Sequence, residues 1–171
     1  MTFDTSITVR NAEESDYPEI VHISIRTWKQ AYKGIVEQSF LDNISFDQRL
    51  EGRLKWMREP KKYSLVAIAD KKIIGFCDFG ISSHSQYGKG EVYAIYILPE
   101  YQGKGAGKKL MGKAMQRLEE ETLTPFIIIA LDKNTSAQKF YKDLGFHFLD
   151  RILTKIGGVE YSENVYLNGI N

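Results

Sequence analysis

The stretch Glu91-Val-Tyr-Ala-Ile-Tyr-Ile-Leu-Pro-Glu-Tyr-Gln-Gly-Lys-Gly-Ala-Gly-Lys108 decides how the chain reads. It opens as a strand of β-branched and aromatic residues and breaks at Pro99. It then passes through Gly103, Gly105 and Gly107 into a helical pattern flanked by lysines. A strand, a glycine turn and a helix N-terminus in that order suit an anion. The first N–H groups of a helix have no intrahelical acceptor, the helix dipole adds positive potential, and glycine lets a phosphate approach the backbone. Two familiar phosphate loops do not fit. A Walker A loop needs a glycine where Gln102 stands and Ser or Thr where Lys109 stands, and a dinucleotide fingerprint begun at Gly103 needs glycine where Lys108 stands. What fits is Gln102-x-x-Gly105-x-Gly107.

Strands and helices alternate on both sides of this stretch. Ser6 to Arg10 is a short first strand with Ile7 and Val9 on one face. From Ser15 to Tyr32 the residues Ile20, Val21, Ile25, Trp28 and Tyr32 recur at helical spacing. Ser15 is placed as N-cap, Pro18 in the first turn and Gly34 at the stop. A second helix spans Phe46 to Met57, with Ser45 and Gln48 at capping-box spacing. Leu65 to Asp70 and Lys72 to Ile81 form a hairpin, and His84 to Gly90 is a loop. After the glycine turn, a helix runs from about Gly107 to Glu121 and an apolar strand from Phe126 to Leu131. A short helix from Ser136 to Leu144 follows, and a terminal hairpin turns at Gly157-Gly158.

Composition narrows the function classes. The 171 residues favour one domain, residues 1–171, and 23 Lys and Arg against 22 Asp and Glu leave a net charge of +1. That balance argues against nucleic acid or a membrane surface as partner. Cys77 is the single cysteine and has no disulfide mate. His22, His84 and His147 lack the spacing of a zinc site, so no metal is expected. Met1-Thr-Phe-Asp-Thr-Ser6 has neither the basic nor the apolar region of a secretory signal, so a cytoplasmic location is expected.

Gln102-x-x-Gly105-x-Gly107 resembles the acyl-CoA pyrophosphate loop of the GNAT family of N-acetyltransferases. Phe140-Tyr-Lys-Asp-Leu-Gly-Phe146 resembles that family's Phe-Tyr-x-x-x-Gly-Phe signature. The strong motifs lie between Glu91 and Phe146; the first third of the chain is matched by layout alone. The resemblance implies an α/β fold of the α+β kind. Its sheet is mixed and mostly antiparallel, splayed between the loop strand and the next one, and flanked by about four helices. It also implies acetyl-CoA as co-substrate. Ile95, Tyr96 and Ile97 would line the pantetheine arm, with the Ile97 N–H on the thioester carbonyl. Gln102, Gly103, Lys104, Gly105, Ala106, Gly107 and Lys108 would hold the pyrophosphate, and Asn134 would reach the cofactor. Lys104 and Lys108 also read as a solvated helix face, and Asn134 as a helix-start residue.

Acetyl transfer to an amine requires loss of the ammonium proton, stabilisation of the oxyanion and protonation of the leaving thiolate. Glu91 stands at the same offset before the loop glutamine as the family's general base, and it also reads as a solvated strand end. Tyr141 is a phenol placed to protonate the thiolate, or a core tyrosine. Cys77, mid-strand with no histidine at a recognisable spacing, reads as an inert thiol.

The resemblance to the GNAT family implies an acceptor site between about Trp28 and Met57. Trp28 and Tyr32, one helical turn apart, offer an aromatic cage for an alkylammonium or packing between helix and sheet. Asp78 sits in an apolar strand, either facing the acceptor cleft or lying on a solvated edge. Trp28-x-x-x-Tyr32-x-Gly34 resembles the small-molecule branch of the family, polyamine acetyltransferases included. The expected acceptor is therefore a small primary amine, polyamine-like, and the expected state a monomer or homodimer. A lysine or N-terminal acetyltransferase and a non-catalytic acyl-CoA-binding domain are the alternatives.

Overall fold

The computed structural model of the protein describes residues 6–169. Of the N-terminal stretch read for targeting signals, all but Ser6 lies outside them. Seven strands form one sheet in the order β1-β2-β3-β4-β5-β7-β6. The strands are β1 (Thr8–Asn11), β2 (Lys62–Ala69), β3 (Lys72–Ile81), β4 (Gly90–Ile97), β5 (Phe126–Leu131), β6 (His147–Ile156) and β7 (Val159–Asn168). The helices are α1 (Tyr17–Ala31), α2 (Gln38–Asp42), α3 (Phe46–Met57), α4 (Ala106–Glu120) and α5 (Thr135–Asp143). The short α2 is one more helix than the apolar pattern suggests. Five residues carry too little periodicity to register, and Leu41 alone is fully buried there.

Every neighbouring pair is antiparallel except β4 and β5. A parallel pair needs a crossover, which α4 provides. The two strands pair only over Gly90–Val92 with Phe126–Ile128. Beyond that point β4 bonds to β3 alone and β5 to β7 alone, so the sheet opens into a V.

The helices cover both faces. On one, Leu110, Met111, Ala114 and Leu118 of α4 pack with Phe79, Val92, Phe126, Ile128 and Tyr166. On the other, Ile20 and Ile23 of α1 pack with Val66 and Phe76, and Leu50, Leu54 and Met57 of α3 close over them. Each such buried side chain contributes roughly 1.5–3 kcal/mol. A bulge where Asp78 and Phe79 meet Ala94 and Val92 inserts Tyr93 as an extra residue. Val92 therefore shares a face with Ile95 and Ile97, while Ala94 and Tyr96 join the opposite core.

The start of α1 corrects the Ser15 cap. Ser15 lies inside a 3-10 turn, Glu14–Asp16, and no side chain caps α1. The buried Asp16 holds the turn instead, accepting the Glu13 N–H at 2.8 Å and both arms of Arg10 at 2.6 and 3.0 Å. Those arginine hydrogen bonds hold the Asp16 carboxyl below its usual range. Ser45 caps α3, accepting from the Gln48 N–H at 3.2 Å.

Candidate active site

The V between β4 and β5 is the mouth of a cleft of about 680 Å³. Its wall on one side is β4. Leu98 donates its N–H to Ile74 of β3 at 2.8 Å. Successive residues of a strand point their N–H and C=O to opposite edges, so those of Ile97 and Ile95 point away from β3 into the opening. Such groups, unpaired by sheet, are ready to bond an extended amide-bearing chain.

The floor is the glycine turn. Gly103 and Gly105 have φ of 73° and 89°, a left-handed backbone that any side chain would strain. That turn points the start of α4 into the cleft. Gly105 is the N-cap and no side chain satisfies the first N–H groups of α4, which leaves them for an anion. Gly107 is needed for contact rather than conformation, because a Cβ there would lie 3.1 Å from the Phe140 ring. The Gln102 side chain donates to the Ile97 carbonyl at 3.0 Å, tying the turn to β4. These residues fit a pantetheine arm ending in a pyrophosphate.

Every residue assigned from the sequence to the cofactor lines this one cleft except Lys104, whose ammonium stacks on Tyr101 at 5.3 Å. Asn134 lines it and also starts α5, accepting the Ala137 N–H at 3.3 Å. Tyr141 lines it as well. Burial pushes the Tyr141 hydroxyl well above the ordinary phenol value, with Tyr32, Cys77 and Tyr166 adding to the shift. The phenol is thus held in its donor form. Cys77 is fully buried, and burial likewise pushes its thiol up, which removes it as a nucleophile.

Glu91 opens β4 with its carboxylate 6% exposed. Oε1 accepts from Ser82 Oγ at 3.0 Å and Ser83 Oγ at 3.3 Å, and lies 3.1 Å from His84 Nδ1. A buried carboxylate held this way is not a solvated strand end. Glu91 is not among the residues that line the cleft, and its register opposite Ile127 puts it on the face of the sheet away from α4. The local sequence around His84 reads only as a loop, because its role comes from a pairing that joins the β3–β4 connection to the strand that follows it.

The acceptor residues come together only in part. Tyr32 lines the cleft, its hydroxyl 3.3 Å from that of Tyr96. Trp28 packs edge-on to Tyr32 at 4.7 Å, and its face is taken by the Arg49 guanidinium at 4.8 Å. Asp78 is neither in the cleft nor on a solvated edge. It is buried, bonded to Ser64 Oγ at 2.7 Å and to both arms of Arg53. The carboxylate needed a partner, and α3 supplies it across the sheet. Glu163 of β7, unremarked in the sequence, is half-buried opposite Leu131, which packs with Tyr32. Burial raises the Glu163 carboxyl, with His84 opposing and Glu91 reinforcing the shift. Nothing in the local pattern of β7 distinguishes Glu163 from the exposed Glu160.

The family model for the Acetyltransferase (GNAT) family matches residues 22–146. The chain belongs to that family. Among relatives of this GNAT acetyltransferase, YuaI of Bacillus subtilis, an uncharacterized N-acetyltransferase, is 30% identical over 132 residues, covering 76% of this chain and 75% of that protein. Spermidine N(1)-acetyltransferase of Thermoplasma acidophilum is 23% identical over 150 residues, covering 85% and 91%. The PaiA N-acetyltransferase of Thermoplasma acidophilum, solved with coenzyme A, superposes with a TM-score of 0.72 at 23% identity over 92% of this chain and 98% of that one. YncA of Salmonella typhimurium, solved with acetyl-CoA, superposes with a TM-score of 0.72 at 18% identity, covering 98% and 95%. The mixed, splayed sheet of this GNAT chain is the fold those structures share.

Proposed function

We propose that the protein transfers an acetyl group from acetyl-CoA to the primary amine of a small molecule by direct attack in a ternary complex. The observation that carries this reading is the convergence in one cleft of three features. They are the open edge of β4, the uncapped start of α4 and the Tyr141 hydroxyl. Relatives solved with coenzyme A and acetyl-CoA support the same cofactor. When bound, acetyl-CoA supplies the activated thioester.

The chain's own residues do the rest. Gly103 to Lys108 and the first N–H groups of α4 hold the pyrophosphate, and Ile95 and Ile97 hold the arm by backbone bonds. The Ile97 N–H stabilises charge developing on the carbonyl oxygen. Glu91 accepts the amine proton, directly or through one water, and His84, one-third exposed, passes it to solvent. Tyr141 donates a proton to the departing sulfur.

A polyamine is the acceptor suggested by the spermidine-acetylating relative. Two of the residues expected at the acceptor site, Trp28 and Asp78, are committed to Arg49 and Arg53. The acceptor is therefore left as a primary amine approaching past Tyr32 on the Glu91 side. The test is release of CoA thiol with a panel of spermidine, aminoglycosides, amino acids and peptides. Turnover with a small amine is the expected result. An acetyl-CoA that fails to raise the melting temperature would sink the cofactor assignment, and turnover with protein substrates alone would sink the small-molecule acceptor.

A further inference from the structure

Arg49 and Arg53 lie one turn apart on α3, and their guanidiniums are satisfied very differently. Both arms of Arg53 meet the carboxylate of Asp78. Arg49 reaches only Ser24 Oγ, at 2.8 Å, and rests on the face of Trp28. A guanidinium carries five N–H donors and no acceptor, so most of the Arg49 fork has no protein partner among the described residues. Arg10, Arg26, Arg53 and Arg117 each lie within 3.0 Å of a carboxylate. Burial pulls Arg49 below its ordinary value, and only the hydroxyls of Tyr96 and Tyr32 oppose the shift. A partly desolvated cation without a counter-charge is costly to keep, and an anion arriving at it recovers much of that cost.

The place of this guanidinium gives it a use. Arg49 lies over Trp28, which packs edge-on against the cleft-lining Tyr32, so its guanidinium stands behind the Tyr32 wall of the cleft and away from the glycine turn. Burial raises the Tyr32 hydroxyl against hydrogen bonds to Tyr96 and Asn134, and the smaller effects of Glu163, which raises it, and Arg49, which lowers it, oppose each other. Arg49 reaches Tyr32 through Trp28, Glu163 stands opposite Leu131, which packs with Tyr32, and no ion pair joins the two among the described residues. A planar fork matches a carboxylate by two parallel hydrogen bonds, and one guanidinium balances one negative charge. Building on the acetyltransferase reading above, we propose that the acceptor is an amine that also carries a carboxylate. The carboxylate docks on Arg49 while the reacting amine lies on the Glu91 and Glu163 side of Tyr32.

The test uses matched acceptors. Amino acids and dipeptides are offered as free acids and as C-terminal amides, which keep the amine and lose the anion, with spermidine alongside. The expected result is a kcat/KM about 10- to 100-fold higher for the acid of a pair, and lower still for spermidine. In Arg49→Gln the ratio of acid to amide falls to near one through KM, with the KM for acetyl-CoA unchanged. A melting shift with acetyl-CoA verifies that the variant is folded, and if it is not, Arg49→Lys and the wild-type ratio decide. Equal use of acids and amides, preference for spermidine, or an unchanged ratio in a folded variant overturns the proposal while leaving the acetyltransferase reading intact. Binding of acetyl-CoA with no turnover of any amine overturns both.

Discussion

Nδ1 of His84 lies 3.1 Å from Oε1 of Glu91, with the hydroxyls of Ser82 and Ser83 on the same oxygen. If Glu91 is the base proposed above, its carboxylate is oriented before any acceptor arrives, and its partner leads outward, since the His84 side chain is 34% exposed. Glu91→Gln keeps the hydrogen bonds to the serines and removes the base. It is expected to lower kcat by about 10²–10³ near neutral pH. Activity should recover as pH approaches the amine's own ionisation near 10, where the acceptor no longer needs deprotonation. His84→Ala should cost less, about 3- to 10-fold, because Glu91 can still discharge through water. Steady-state rates from pH 6 to 10 check both, and a Glu91→Gln enzyme with the wild-type profile would remove Glu91 from the chemistry.

Tyr141 should act as a donor over the whole working range. Burial is the main cause that raises its hydroxyl above the ordinary phenol value, so the protonated form persists at every pH below about 10. Tyr141→Phe should reduce kcat about a hundredfold by a constant factor between pH 7 and 10. Its melting shift with acetyl-CoA should remain, since the variant leaves the backbone of the cleft in place. A Tyr141→Phe enzyme with full kcat would exclude the acid role.

Glu163 carries a cost at neutral pH. Burial raises its pKa in the folded chain, so folding favours the protonated form; the stability this gives is complete below the unfolded value and is lost as pH rises through the folded one. Glu163→Gln removes the penalty. Its melting temperature should exceed that of the wild type by about 1–3 °C at pH 7, and the difference should vanish toward pH 4. If Glu163 faces a bound ammonium, the same variant raises the acceptor KM. Scanning calorimetry at the two pH values, together with acceptor kinetics, separates the effects.

Asp78 and Arg53 should behave as one buried unit. Removing a single partner leaves the other charge uncompensated, so Asp78→Ala is expected to cost about 3–5 kcal/mol of stability. Replacing both by apolar residues, Asp78→Leu with Arg53→Met, should recover most of the loss. Denaturant titration of the singles and the double reads the coupling directly. Additive losses would mean the pair is not a unit.

The residues that were legible in the sequence are those whose role is local. The alternation of β4, the break at Pro99 and the left-handed glycines of the turn are properties of consecutive residues, and so is the cap at Ser45. The same holds for the stripe of α4 and the Phe140 to Phe146 signature, which puts the residues proposed to hold the cofactor on one loop and its flanking elements. Asp78 was visible as an oddity, a carboxylate in an apolar strand, but its partner was not, because Arg53 is distant in sequence and meets it only when α3 lies across the sheet. The extra residue at Tyr93 was hidden for a similar reason: a bulge is defined by the register of the partner strand.

The sequence by itself determined the order of elements, the anion-ready turn and the family motif, since backbone conformation and capping depend on neighbours in the chain. Only the tertiary structure decided which charges are spent and which are open. Asp78 is neutralised by Arg53, Glu91 is held by His84, and Trp28 is covered by Arg49, while Arg49 and Glu163 form no ion pair among the described residues. Electrostatic pairing depends on distance and desolvation in three dimensions, and neither quantity exists until α1, α3 and β7 converge on the open V of the sheet.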